Sequence, residues 1–144
     1  MVKAKDFLKF LCEELNYRFF TGMPKNDFVK LRKKMTSDIL NYIPSVNDES
    51  AFGMAYGSRV GGTKSIVMIS HDELIKCFNY VRNFSTDYGI PILILTDKIL
   101  DLPKIKSIVL TDDFQKELTK FDKEIEKARL PGFVCLKGGF LSWD

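Results

Sequence analysis

The sequence holds one histidine, His71, one tryptophan and three cysteines in 144 residues, and each scarcity removes a class of chemistry. A single histidine builds neither a His-rich metal site nor a two-histidine acid–base pair. Cys12, Cys77 and Cys135 are widely spaced and odd in number, so they form no CxxC metal or redox motif and no paired disulfide framework. Each lies in an apolar run and reads as a small buried hydrophobe suited to a reducing cytoplasm. There is no GxxxxGK[ST] phosphate loop, no GxGxxG fingerprint and no GxSxG nucleophile elbow. No run approaches the roughly 20 apolar residues that cross a bilayer, and the opening MVKAKDFLKFL lacks a signal peptide's apolar core. The expectation is a cytoplasmic protein without a membrane partner. With 22 basic and 19 acidic residues the net charge is +3, too even for a dedicated nucleic-acid binder.

What remains is 45% hydrophobic and 28% charged, the profile of one soluble globular domain over residues 1–144. About 150 residues bury about 70% of the unfolded chain's surface, so the core needs no staple. Apolar residues at helical spacing predict helices over residues 4–15, 27–35 (capped by Asn26), 48–60, a segment from about 71, and 112–129. Apolar runs at 17–20, 42–46, 65–70, 92–95, 107–110 and 133–136 predict strands. The alternation implies an α/β fold with a single doubly wound, mainly parallel sheet covered by helices on both faces. Residues 138–144 read as a C-terminal extension that docks elsewhere. In such sheets ligands gather at the carboxyl ends of the strands, which directs attention to loops 21–26, 47–50 and 70–73.

Two groups in those loops are candidates for chemistry. His71, beside Asp72 and Glu73, suits a functional loop; it equally suits a helix start, with Ser70 or Asp72 capping and Glu73 complementing the dipole. Asp48 and Glu49 head a helix rich in small residues (Ala51, Gly53, Ala55, Gly57, Ser58). They either complement its dipole, worth about 0.3–1 kcal/mol, or provide a carboxyl group that a partner surface shields. Glycines inside a helix cost about 1 kcal/mol each, so this helix makes sense where another backbone or a ligand comes close. The basic run Lys30, Arg32, Lys33 and Lys34 reads as a solvated helix face.

The order Phe19-Phe20-Thr21-Gly22-Met23-Pro24, then Asn47-Asp48-Glu49-Ser50-Ala51-Phe52-Gly53-Met54-Ala55-Tyr56-Gly57, then the strand 65–69 and Tyr88-Gly89-Ile90-Pro91, resembles the pyrimidine-binding (PYR) domain of thiamine diphosphate-dependent enzymes. Within these it is most similar to the phosphonopyruvate and sulfopyruvate decarboxylase group, over nearly the whole chain. The resemblance implies a glutamate-type acid at the head of the small-residue helix, hydrogen-bonded to the cofactor's pyrimidine, while the cofactor serves as electron sink for carbon dioxide loss. The matching position is Asp48, one methylene shorter than glutamate, with Glu49 in reserve. It also implies cofactor contacts at Gly22, Pro24, Asp72 and Leu74, and a catalytic approach by His71. Ser70-His71-Asp72-Glu73 replaces the family's glycine- and asparagine-rich loop. The Gly-Asp-Gly motif that binds diphosphate and Mg2+ is absent, so the resemblance implies thiamine diphosphate whose diphosphate and metal are held by a separate PP-domain subunit. It implies a homo- or hetero-oligomer acting on a small anionic 2-oxo acid. Arg59 and Lys64 could favour such an anion, although they also read as ordinary surface charge. The alternative is a degenerate, non-catalytic PYR-like domain used for assembly or regulation, which the Asp48 and His71 departures favour.

Overall fold

The structure is a computed structural model describing residues 1–144 apart from Pro24, Ser37, Ile39 and residues 100–104, together with the side chains of residues 84–86. A short strand β1 (Val2–Lys3) leads into α1 (Ala4–Lys9), which widens into a π-type turn over Phe10–Glu14. Then follow β2 (Tyr17–Gly22), α2 (Asp27–Lys33), β3 (Asn41–Pro44), α3 (Asp48–Val60), β4 (Lys64–Met68) and α4 (His71–Tyr80), the last prolonged by a π-type turn over Val81–Thr86. The chain continues with β5 (Leu93–Thr96), β6 (Lys106–Val109), α5 (Phe114–Ala128), β7 (Gly132–Cys135) and β8 (Leu141–Ser142). Asn26 precedes α2 as expected, but its backbone stands at φ 54° and its side chain makes no capping bond.

Six strands form one sheet in the order β3-β2-β4-β5-β7-β6, every pair parallel. This is the doubly wound α/β arrangement that the alternation of helices and strands predicts. From β2 the chain moves outward to β3, then crosses back to β4 on the other side, so the sheet changes direction between β2 and β4. Such a switch point opens a crevice at the strands' carboxyl ends.

The inner strands β4, β5 and β7 are buried on both faces, which is why they read as continuous apolar runs. Ile66, Met68, Leu93, Leu95 and Val134 point to one layer, where α1, α2 and α5 contribute Phe7, Leu8, Leu11, Phe28, Leu31, Leu118, Phe121 and Ile125. Val67, Ile69, Ile94 and Phe133 point to the other, against Ala51, Phe52, Ala55 and Tyr56 of α3 and Leu74 and Cys77 of α4. Gly132 lets α5 settle on β7, because a Cβ there would lie 2.6 Å from the Phe121 ring. All three cysteines are free and buried, and burial pushes the Cys12 thiol up to about 11.

The segment after β7, read from sequence as an extension docking elsewhere, folds back on the domain. Leu141 and Ser142 pair with Val2 and Lys3, and Phe140 packs edge-on to Phe7 and Phe114 at ring separations of 5.8 and 6.3 Å. The strand expected at 133–136, β7, lies inside the sheet between β5 and β6.

Candidate functional site

The switch point is tied together by backbone. β2 ends at Gly22 with φ +134°, and a Cβ there would collide with the Met68 carbonyl oxygen, so only glycine lets the ends of β2 and β4 meet this closely. The same glycine's carbonyl accepts from the Ser45 N–H at 3.3 Å, and Thr21 Oγ1 donates to the Ile43 carbonyl at 2.7 Å. Loop 45–47 is thereby held against β2, which sets where α3 begins. Asn47 caps that helix by accepting from the Ser50 N–H at 2.7 Å.

Asp48 follows in the first turn of α3, half-buried. Glu73 stands in the first turn of α4, where its Oε1 lies 3.2 Å from Lys25 Nζ and 3.6 Å from Lys76 Nζ. Burial and then the neighbouring Glu73 carboxylate raise the Asp48 carboxyl above its usual range, with Lys25 and Lys76 pulling the other way. Glu73 is held below its own range, first by the hydrogen bond from Lys25. The two shifts have one meaning. Lys25 favours the ionised form of Glu73, while burial and that charge disfavour ionisation of Asp48.

Glu49, one residue on, turns away and accepts from the Tyr80 hydroxyl at 3.3 Å on α4. His71 opens α4: its N–H donates to Asp97 Oδ1 at 2.8 Å, so an acid just beyond β5 caps the helix that Ser70 and Asp72 were expected to cap. The His71 ring places Nδ1 3.3 Å from Asp72, and the histidine lowers the exposed Asp72 carboxyl. Leu74 is fully buried in the layer beneath α3 and α4. Pro24 lies outside the described residues. Two hydroxyls at strand ends, Ser45 Oγ and Thr96 Oγ1, are buried without a hydrogen-bond partner among the described residues.

The structure therefore brings Asp48, Gly22, Glu73 and Lys25 to one corner and His71, Asp72 and Asp97 to the next. It places Arg59 and Lys64 at the opposite, amino end of the sheet. There Arg59 pairs with Glu126, and Lys64 donates to both Asp122 oxygens at 2.9 Å while Tyr17 donates to Asp122 at 2.6 Å. These two cations are structural and far from the loops that could take an anion. Lys25 and Asp97 went unnoticed in the sequence, and Glu73 was read only as a helix-dipole residue. The signal available was their position in strand-end loops, but nothing in a linear sequence pairs one loop with another.

Gly53 and Gly57 face open space, with nothing within 4 Å of a Cβ built on either, so the close approach this helix permits is not used within the chain. Grooves of about 580 Å³ lie beside the N-terminus, under Trp143 and next to Arg129, and none is lined by Asp48 or Glu73. Among the described residues, no cluster of three or more His, Cys, Asp or Glu is arranged to hold a metal ion, and no helix is long and apolar enough to cross a membrane.

No protein-family model and no curated protein sequence matches the chain. Solved structures do. A 2-oxoglutarate:ferredoxin oxidoreductase from Magnetococcus marinus superposes with a TM-score of 0.76 at 13% identity, over 96% of this chain and 29% of its own. A structure assigned as a thiamin diphosphate-dependent enzyme from Mycobacterium smegmatis gives 0.75 at 15% identity, over 95% and 31%. Benzoylformate decarboxylase from Polynucleobacter necessarius gives 0.75 at 18% identity, over 95% and 30%. The chain thus has the fold of a domain found in thiamine diphosphate-dependent enzymes, and it spans about 30% of the length of these solved chains.

Proposed function

We propose that the chain is the pyrimidine-binding component of a two-component thiamine diphosphate-dependent 2-oxo acid decarboxylase, acting on a small anionic substrate such as sulfopyruvate or phosphonopyruvate. In this reading the diphosphate and Mg2+ are held by a separate PP-domain chain. The observation that carries the reading is Asp48 itself. It stands at the head of α3, beside the switch point of a fold shared with such enzymes, in an environment that favours its protonated form.

The donor chemistry fits a pyrimidine ring. A protonated carboxyl donates a hydrogen bond to a ring nitrogen. Bound, the cofactor supplies an electron sink for loss of carbon dioxide. Asp48 would hold a proton toward the ring, Gly22 leaves the strand end free of side-chain bulk, and His71 at the head of α4 would present an imidazole to orient an anionic substrate. The bare Gly53 and Gly57 face of α3 suits contact with the partner chain that completes the site.

The test mixes the purified chain with its PP-domain partner, thiamine diphosphate and Mg2+, and follows carbon dioxide release from sulfopyruvate and phosphonopyruvate. Release is expected, with Asp48→Ala abolishing it and leaving the complex intact. A complex that forms yet releases nothing from any 2-oxo acid establishes the second reading, a non-catalytic domain for assembly or regulation. That reading is favoured by Asp48 being the shorter acid and by the Ser70-His71-Asp72-Glu73 loop.

A further inference from the structure

The basic end of α2 and the folded-back tail, neither used by the candidate site, meet in one groove. Pairing of Leu141 and Ser142 with Val2 and Lys3 carries the tail toward α1, and Trp143 and Met35, both partly buried, pack against the core. They line a groove of about 580 Å³ whose floor is formed by the buried Leu8 and Leu40. Lys5 of α1 and Lys33 and Lys34 at the end of α2 line it as well, together with two acids, Asp38 and Asp144. Lys30 Nζ stands 5.7 Å from the centre of the Trp143 ring. Among the described residues, Lys5, Lys33 and Lys34 form no ion pair, although two acids border the same groove. Both signs of charge therefore remain available to a ligand. The groove next to Arg129, of similar size, has no aromatic wall.

These features constrain what fits. A bare phosphate would engage the lysines and leave the indole and the leucine floor wet; an uncharged ring would cover the floor and leave three cations unpaired. A flat ring joined to an anionic group satisfies both, and hydroxyls on the part between them would donate to the aspartates. We propose that this groove binds a free nucleoside monophosphate, its base against the Trp143 indole and its phosphate among Lys5, Lys33 and Lys34. Small-molecule sites are typically clefts of about 300–1,000 Å³ with apolar walls and a few polar groups, which describes this one. Base–aromatic stacking tolerates any base, so the groove selects the class rather than one nucleotide. The site lies on the layer of α1 and α2, whereas α3 and α4, which carry Asp48 and His71, pack on the opposite layer. It is separate from the decarboxylase reading and does not depend on it.

Trp143 is the single tryptophan of the chain, so its fluorescence reports on the groove directly. Adenosine monophosphate (AMP) is titrated into the purified chain, with adenosine and inorganic phosphate run beside it. Saturable quenching by AMP is expected, with adenosine about tenfold weaker for want of the charge-assisted contacts. Lys33→Ala combined with Lys34→Ala, two exposed positions, should weaken AMP about tenfold and flatten its salt dependence. Lys120→Ala combined with Lys123→Ala, exposed on α5, should change neither. Trp143→Leu, followed by calorimetry, should also weaken AMP about tenfold through loss of stacking. No saturable quenching at millimolar AMP, equal weakening by the two lysine pairs, or inorganic phosphate binding as tightly as AMP overturns the proposal. Should Trp143→Leu fail to fold, the two lysine pairs decide alone. Decarboxylation, present or absent, alters none of these outcomes.

Discussion

At the amino end of the sheet, Tyr17 and Lys64 both donate to Asp122, Lys64 also lies over the Tyr17 ring at 4.3 Å, and Arg59 pairs with Glu126. At the carboxyl end two acids, Asp48 and Glu73, head neighbouring helices, burial and then the Glu73 charge raising the Asp48 carboxyl, and two hydroxyls are buried without partners among the described residues. The same sheet and helices produce both ends. The amino end pairs these charges with opposite ones, and its Lys64 and Asp122 side chains are only 16% and 14% exposed, although Arg59 Nε is buried without a hydrogen-bond partner among the described residues. Partly buried pairs of this kind are costly to break. The carboxyl end retains like charges that a structure selected for stability alone would separate, which is the pattern expected where protonation states are put to use.

This contrast breaks most sharply at Gly22. Gly22→Ala forces a side chain into the Met68 carbonyl at a φ of +134°. The expected loss is about 4 kcal/mol, combining backbone strain with overpacking, read as a fall in the urea midpoint. A smaller loss would show that the ends of β2 and β4 can part.

Next in size is Asp122→Ala at the opposite end, which strands Lys64 and the Tyr17 hydroxyl. It is expected to cost about 3 kcal/mol by the same unfolding measurement. Tyr17 sits well above its usual range through burial and Asp122, so the variant should also bring its phenol ionisation closer to normal in a spectrophotometric titration.

Gly57→Ala acts in the other direction. With nothing within 4 Å of the new methyl, the isolated chain should gain up to about 1 kcal/mol from helix propensity. Association with a partner chain should weaken if the face is covered in the assembly. Unchanged affinity by calorimetry would place the interface elsewhere.

The smallest effect is expected from Asp48→Asn. The folded state raises the Asp48 carboxyl, so it binds a proton more tightly than the unfolded chain, and stability falls as pH rises from the unfolded value through the folded one. Glu73 is lowered, so its contribution is present above its unfolded value and is lost as pH falls through the folded value. Asp48→Asn should therefore be slightly more stable than the wild type at pH 7, with the difference vanishing below the ordinary carboxylate range. Urea midpoints measured between pH 3 and 7 follow this.

Much of the fold was legible because burial on two faces writes itself into composition. The runs at 65–70 and 92–95 could only be buried parallel strands, and the Phe114, Leu118, Phe121 and Ile125 stripe could only be a helix facing a core. The position of β7 was not legible, since a four-residue apolar strand carries no record of its neighbours. Nor were the π-type turns, where the apolar spacing still passes for an ordinary helix. At the candidate site, Asp48 stood out through its place before a small-residue helix. Its partner did not, because Glu73 in a first turn looks the same whether it serves a helix dipole or another acid 25 positions away.

The interior position of β7 also has a meaning in time. During synthesis β5 and β6 emerge before the strand that joins them, residues 132–135. Until they arrive β6 has no sheet neighbour, β5 presents an open edge, and α5 has no Gly132 against which to rest Phe121. A growing chain cannot commit to this sheet strand by strand as it lengthens. It closes in one late event, and a nascent chain stalled short of β7 would carry an apolar edge that chaperones recognise.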